Sequence, residues 1–346
     1  MPRALFAHAA RDLRLSDVAD GSLGPGQVRI AMQRGGICGS DLHYFNHGGF
    51  GAVTLREPMI LGHEVAGFVA ELSEGVELLS LGDLVAVTPS RPCGNCSECL
   101  RGLPNQCLNM RFYGSAMPFP HIQGAFRDSL IVEAGQCVVA TGLDASQAAM
   151  AEPLSVALHA VSRAGPMLGK RVLVTGCGPI GILVILAARR AGAAQIIATD
   201  IAAPVLEIAR RCGADVTLNT ANDPDALSPY LGTKGTLDVL FECSGAQAAL
   251  GAGIATLRAR GTVVQLGLSG DMTLPMMMIT ARELSLTGSF RFHETFPLAV
   301  RMMQDGLIDV APLLTHSFPL ADFAEAFATA NDRTRAMKVQ LVFGPC

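Results

Sequence analysis

The most constraining feature of the sequence is a regular alternation between about Lys170 and Thr287. "RVLVTG" reads as a buried strand, and "GPIGILVILAARRAG" as a helix with Gly192 at its end. "QIIATD" is a second strand and "VLEIARRCGAD" a second helix. "VTLNT", "LDVLFECSG", "TVVQLGL" and "ELSLTGS" are further strands, with a helix over "AQAALGAGIATLRARG" between two of them. Strands alternating with helices of about ten to fifteen residues predict an α/β fold with a parallel, doubly wound sheet.

Within that alternation "GCGPIG" places Gly176, Gly178 and Gly181 in a G-x-G-x-x-G pattern, with Pro179 and Ile180 between the last two glycines. The pattern is weak alone, but here it follows a strand and opens a helix, and Asp200 ends the next strand 24 residues after Gly176. Gly176 permits the tight turn, Gly178 lets backbone approach a pyrophosphate, and Gly181 lets the helix pack on the strand, so that helix amides face the phosphates. Asp200 would accept hydrogen bonds from the adenosine ribose and repel a 2′-phosphate. No Arg or Lys occurs at positions 201–205, so NAD is favoured and NADP remains possible. Leu266 and Gly267 after one strand, and Ser289 and Phe290 after the next, complete the expected cofactor-facing set. The bland alternative is a glycine-rich turn that binds no dinucleotide.

The first 148 residues or so have a different texture, with many Gly and Pro and short alternating runs such as "QVRIAM" and "LVAVTP", which predicts an irregular β-rich domain. Inside it, "CGNCSECLRGLPNQC" brings together Cys93, Cys96, Cys99 and Cys107. Four thiolates suit a closed tetrahedral zinc site that supplies folding energy to a lobe with no core of its own. Gly94, Gly102 and Pro104 fit such a looped lobe. An iron–sulfur cluster is the competing occupant. Cys38, His63 and the acids Glu64 and Glu152 form a second constellation. One Cys, one His and one carboxylate, with a fourth position open, describe a catalytic zinc. Taken singly, Cys38 is an ordinary small buried residue and His63 an ordinary core histidine.

Composition sets the outer limits. The chain has 346 residues, 50% of them hydrophobic and 16% charged, which predicts two domains, a large core and some buried subunit contact. No apolar run reaches the ~18 residues needed to span a bilayer, and "MPRALFAHAARDLRL" does not read as a secretory signal. A net charge of −4 gives no electrostatic case for nucleic acid. The expected location is the cytoplasm, where the ten cysteines stay reduced and a dense cluster reads as a metal site. Met276 to Met278 are expected at an interface or core edge.

With Cys38, "GHE", the four-cysteine lobe and "GCGPIG" in this order, the chain resembles the zinc-dependent medium-chain alcohol and polyol dehydrogenases over essentially its whole length. Glu152 in "EPLSVALHA" matches the sorbitol dehydrogenase-like branch. The resemblance implies a GroES-like catalytic domain over 1–150 and 289–346, with its zinc lobe at about 88–112, and a Rossmann domain over 151–288 inserted before the last piece. It implies that Cys38, His63 and either Glu152 or Glu64 hold the catalytic zinc, that Ser40 and His43 form a proton relay, and that Asp41 orients His43 or sits behind the metal ligands. Val205 stands where many polyol dehydrogenases carry an Arg, which leaves the NAD preference resting on Asp200. The implied protein is a homodimer or homotetramer, with the strand "ELSLTGSF" a candidate for pairing between subunits.

The implied reaction is reversible oxidation of a secondary alcohol, with the proton passing from the substrate through Ser40 toward His43. A sugar acid such as L-idonate, oxidised to 5-ketogluconate, is the expected substrate; a polyol such as sorbitol, xylitol or threitol is the alternative. Arg291 in "GSFRF" is the candidate partner for a substrate carboxylate, with a hydroxyl or cofactor contact as its other role. Tyr113 and Phe112 are candidates to line the pocket. A relative of another class, zinc-free or non-catalytic, would lack the Cys/His pair or the cysteine lobe, and this chain has both.

Overall fold

A computed structural model describes residues 1–268 and 270–344. Its six-stranded sheet is wholly parallel. In spatial order the strands are Val216–Asn219, Gln195–Asp200, Arg171–Thr175, Leu237–Glu242, Leu257–Gln265 and Ser285–Gly288. The first strand in sequence therefore lies third, and the chain runs outward from it in both directions, which is the expected doubly wound order. In such a sheet the ligand crevice lies at the carboxyl ends of the two strands where the order reverses. Here those strands are Arg171–Thr175 and Leu237–Glu242, paired from Val172–Val239 to Thr175–Glu242.

The expected helices form with altered limits. Pro179–Arg190 opens with Pro at its first turn, where no amide is needed, and Gly192 follows it in a left-handed conformation. The helix expected over "AQAALGAGIATLRARG" spans only Gln247–Thr256, and the next strand begins at Leu257. Leu257 is fully buried beside Leu237, and Arg258 ion-pairs with Asp238, so sheet pairing claims a stretch whose composition also suits a helix.

Among the described residues, a second sheet has seven strands. Gln27–Gly36 lies at its centre, paired with Glu64–Leu72, Ser129–Glu133 and the C-terminal strand Lys338–Val342. Thus residues near the C-terminus complete a sheet built mainly from the first 140 residues. The helix Ala151–Arg163 joins the two sheets. It carries Leu154, Leu158 and Val161 into one core with Val172 and Val174 of the parallel sheet and Ala66 and Ala86 of the other. That shared core fixes the cleft between the two sheets. No helix among the described residues is long and apolar enough to cross a membrane.

Candidate catalytic metal centre and cofactor cleft

The constellation at the end of Gln27–Gly36 is built by local backbone. The helix Gly39–His47 begins directly after Cys38, and the Asp41 carboxylate accepts from the Cys38 amide at 2.9 Å and from the Gly62 amide at 3.1 Å. This capping arrangement presents Cys38 and Ser40 at the helix N-terminus. The loop holding Gly62 then turns into the strand Glu64–Leu72, with His63 and Glu64 at its start. One ligand atom each from Cys38, His63 and Glu64 lies within 4.8 Å of the others. His63 and Glu64 are buried. Gly36 leaves the room this needs, because a Cβ there would stand 2.1 Å from the Glu64 carboxylate.

Glu152, buried in the first turn of Ala151–Arg163, interacts electrostatically with His63, Glu64 and Cys38, but its carboxylate is outside the group whose ligand atoms lie within 4.8 Å of one another. Burial pushes its pKa up to about 8, with His63 opposing the rise and the Glu64 and Cys38 charges adding to it. Burial, then the Glu64 charge, pushes the Cys38 thiol up to about 12. Four acids, Cys38, Asp41, Glu64 and Glu152, thus crowd a dry site with too little positive charge. His63 Nδ1 is buried there without a hydrogen bond among the described residues, 3.9 Å from Asp41. A divalent cation would relieve this imbalance, and the soft Cys with His and a hard carboxylate is a zinc donor set.

Asp41 Oδ1 lies 3.9 Å from His63 Nδ1, which agrees with the placement behind the metal ligands, one of the two that the sequence allowed. A residue that the sequence did not single out completes the centre. Lys338 Nζ, 2% exposed, donates to both Glu64 oxygens at 2.7 and 2.8 Å and to the Ile37 carbonyl at 3.3 Å. Burial opposes its charge, but Glu64 and Cys38 outweigh burial and hold its pKa above the ordinary lysine value. The available signal was a single charged residue, Lys338, in the mostly apolar stretch "KVQLVF".

Ser40 and His43 lie one turn apart on Gly39–His47, with His43 open to solvent. Partial burial, then the His47 and Arg333 charges, lowers the His43 pKa. The guanidinium of Arg291 stands over the Phe112 ring at 4.5 Å, and the same ring lies 5.4 Å from that of His63. Arg291 therefore reaches the metal constellation across one aromatic ring. Tyr113 lies apart from it, buried in the core of the seven-stranded sheet with its hydroxyl donating to Gln136 at 3.2 Å.

The cysteine lobe is also assembled. Ligand atoms of Cys93, Cys96, Cys99 and Cys107 lie within 4.8 Å of one another, with Cys107–Cys93 and Cys107–Cys96 sulfur separations of 3.5 and 3.9 Å. Those spacings are far beyond a disulfide of about 2.05 Å. They match the edge, about 3.8 Å, of a tetrahedron with zinc–sulfur bonds of about 2.3 Å. The amides of Cys93 and Asn109 donate to the Cys107 sulfur at 3.2 and 3.3 Å.

At the crevice, Gly176 has φ +84°, and a Cβ there would meet Ser244 at 2.7 Å. A Cβ at Gly181 would lie 1.9 Å from the Gly176 carbonyl, while nothing stands within 4 Å of one at Gly178, which faces open space. Pro179 and Ile180 start the helix whose N-terminus points there. Asp200 accepts from the Cys177 amide at 2.7 Å and the Ala202 amide at 2.9 Å, which brings its carboxylate to the glycine turn. Glu242, fully buried and not singled out in the sequence, accepts from the Ser244 and Gly245 amides and from Gln265 at 2.7 Å. The amides of Leu266 and Gly267 both donate to its carbonyl. Glu242 thus ties together the loops around the crevice. Ser289 Oγ is buried nearby with no hydrogen-bond partner among the described residues, and Phe290 is partly exposed. A glycine turn, a helix N-terminus and an unmatched hydroxyl fit a dinucleotide.

Residues 24–142 match the family model of the alcohol dehydrogenase GroES-like domain, and residues 179–305 that of the zinc-binding dehydrogenases. The chain is 45% identical over 316 residues to the L-idonate 5-dehydrogenase (NAD(P)(+)) of Escherichia coli K12, covering 91% of each chain. It is 37% identical over 349 residues to the sorbitol dehydrogenase of Macaca fascicularis, covering 99% of this chain and 96% of the relative. The crystal structure of the Escherichia coli L-idonate 5-dehydrogenase superposes with a TM-score of 0.92 at 40% identity, covering 99% of this chain and 98% of that one. The chain belongs to the zinc-dependent medium-chain dehydrogenases, and is an NAD(P)-linked oxidoreductase of that family.

Proposed function

We propose that this enzyme reversibly oxidises a secondary alcohol of a sugar acid, L-idonate to 5-ketogluconate. The observation that carries this choice is Arg291. Its guanidinium is fixed between two aromatic rings, one ring away from His63, and has no ion-pair partner among the described residues. A guanidinium so placed can grip a carboxylate bidentately while the reacting carbon lies at the metal centre. Two relatives named L-idonate 5-dehydrogenase, 45% and 36% identical, support the choice. Oxidation of a neutral polyol is the second reading, favoured by sorbitol dehydrogenase relatives matching 99% of the chain.

Cys38, His63 and a carboxylate hold zinc. Lys338 occupies both oxygens of Glu64, so Glu152 is the acid free to ligate, and Glu64 lies closer but is held back by its pair. Cys93, Cys96, Cys99 and Cys107 hold the second, structural zinc. Gly176 to Gly181, Asp200, Leu266, Gly267, Ser289 and Phe290 seat the cofactor, with NAD favoured by Asp200. Bound zinc would supply Lewis acidity at the substrate oxygen, and a bound nicotinamide would supply the hydride acceptor. Ser40 takes the hydroxyl proton and passes it toward His43, which is open to solvent and can release it.

Residues 1–150 and 289–346 form the catalytic unit and 151–288 the nucleotide unit. The protein works in the cytoplasm as a homodimer or homotetramer, with the edge strand Ser285–Gly288 at a subunit contact. Initial rates with NAD and NADP across L-idonate, gluconate, 5-ketogluconate, sorbitol and xylitol test the assignment. A higher kcat/KM for L-idonate than for sorbitol supports it, and the reverse order transfers the assignment to polyols.

A further inference from the structure

We propose that the cysteine lobe positions the substrate-binding arginine: Asn105 and Phe112, at the lobe's tip and neck, set where the Arg291 guanidinium stands. This rests on Arg291 as the carboxylate-binding group.

Asn105 lies in the short helical turn Pro104–Gln106, between Cys99 and Cys107. It is 9% exposed, and its side-chain amide donates to the Phe290 carbonyl at 3.1 Å, across 185 positions of sequence. Phe290 immediately precedes Arg291, whose φ of +54° is in the left-handed region that non-glycine residues rarely adopt. A backbone in that region persists only where its surroundings hold it. The hydrogen bond from Asn105 fixes the peptide plane directly before the strained residue.

The second contact comes from the neck of the lobe. Arg111–Phe112 pairs antiparallel with Ser90–Arg91, closing the segment from Cys93 to Cys107. Phe112 on that neck offers its ring to Arg291 at 4.5 Å, and Phe290 covers it at 4.9 Å. Nη2 also lies 3.4 Å from the Met117 sulfur. Aromatic faces hold a guanidinium without using up its in-plane donors. The fork stays open to substrate, but its position depends on the lobe.

The test compares Michaelis constants for L-idonate and sorbitol in wild type, Asn105→Ala, Phe112→Leu, Arg291→Ala and the Asn105→Ala/Arg291→Ala double variant. Zinc content and thermal midpoint serve as folding controls. Loss of the hydrogen bond in Asn105→Ala is expected to raise the L-idonate KM about fivefold, with kcat and the sorbitol KM changed less than about twofold. Phe112→Leu moves the same ratio in the same direction. In the Arg291→Ala background, Asn105→Ala adds no further change, because the group it positions is gone. Equal rises for both substrates, or additive effects in the double variant, overturn the inference. If Arg291→Ala shifts the L-idonate to sorbitol ratio while Asn105→Ala and Phe112→Leu do not, the lobe inference alone fails. If Arg291→Ala leaves that ratio unchanged, carboxylate recognition by Arg291 fails and the inference falls with it.

Discussion

Lys338 Nζ stands 2.7 and 2.8 Å from the two carboxylate oxygens of Glu64, inside the protein and beside Cys38. Breaking a buried pair by removing one partner leaves an uncompensated charge. Lys338→Met is therefore expected to destabilise the fold by about 3–5 kcal/mol. Lys338→Met/Glu64→Gln, which removes both charges, should recover much of that loss. Thermal and urea unfolding of both variants checks this, and a neutral single variant would count against the pair.

In the proposed relay, His43 accepts a proton only when neutral. Its pKa lies below the ordinary 6.5 because burial and then the His47 and Arg333 charges disfavour the imidazolium. The neutral form therefore persists to lower pH than in free histidine, and kcat/KM for oxidation should fall only as pH drops through a value below 6.5. His43→Gln should remove that limb from the pH–rate profile. An unchanged profile in the variant would assign the limb to another group.

Asp200 accepts from the Cys177 and Ala202 amides, and in the proposed cofactor site it meets the adenosine ribose. Asp200→Ala is expected to lower kcat/KM with NAD about tenfold or more, as hydrogen bonds to a charged acceptor are lost. The NADP to NAD ratio should rise, since the carboxylate that repels a 2′-phosphate is gone. Paired initial-rate measurements with both cofactors decide it.

The four-cysteine lobe has charge placed for a metal. Hydrogen bonds from the Asn95 backbone and the Asn109 side chain take the Cys93 pKa down to about 6, while burial pushes Cys99 up to about 12. A metal makes thiolates of all four. Cys96→Ser should lower the zinc content by one per chain and reduce the thermal midpoint, as measured by metal analysis and calorimetry. Full zinc content in that variant would contradict a structural site here.

What was legible in the sequence is what local chemistry encodes. The glycine turn, the strand–helix alternation and the cysteine lobe each lie within one short stretch, so their spacing carries their geometry. The Lys338–Glu64 pair joins residues 274 positions apart, and Asn105–Phe290 joins residues 185 apart, so no local pattern announces either. Asp41 could be read toward His43 because both share a helix, yet it turns inward to cap the Cys38 amide and meet His63. Tyr113 adjoins Phe112, but it lies in the turn after the strand Arg111–Phe112 and packs into the core, while Phe112 lies against His63. The helix before Leu257 ends early because sheet pairing outweighs helix propensity there.

Metal content and turnover of the Cys38→Ser variant test the central claim most directly. Wild type is expected to hold two zinc ions per chain, and Cys38→Ser one, with oxidation of L-idonate reduced to background and the fold intact. A variant that keeps full turnover, or a wild type that purifies active without zinc, would contradict a catalytic metal at Cys38 and His63.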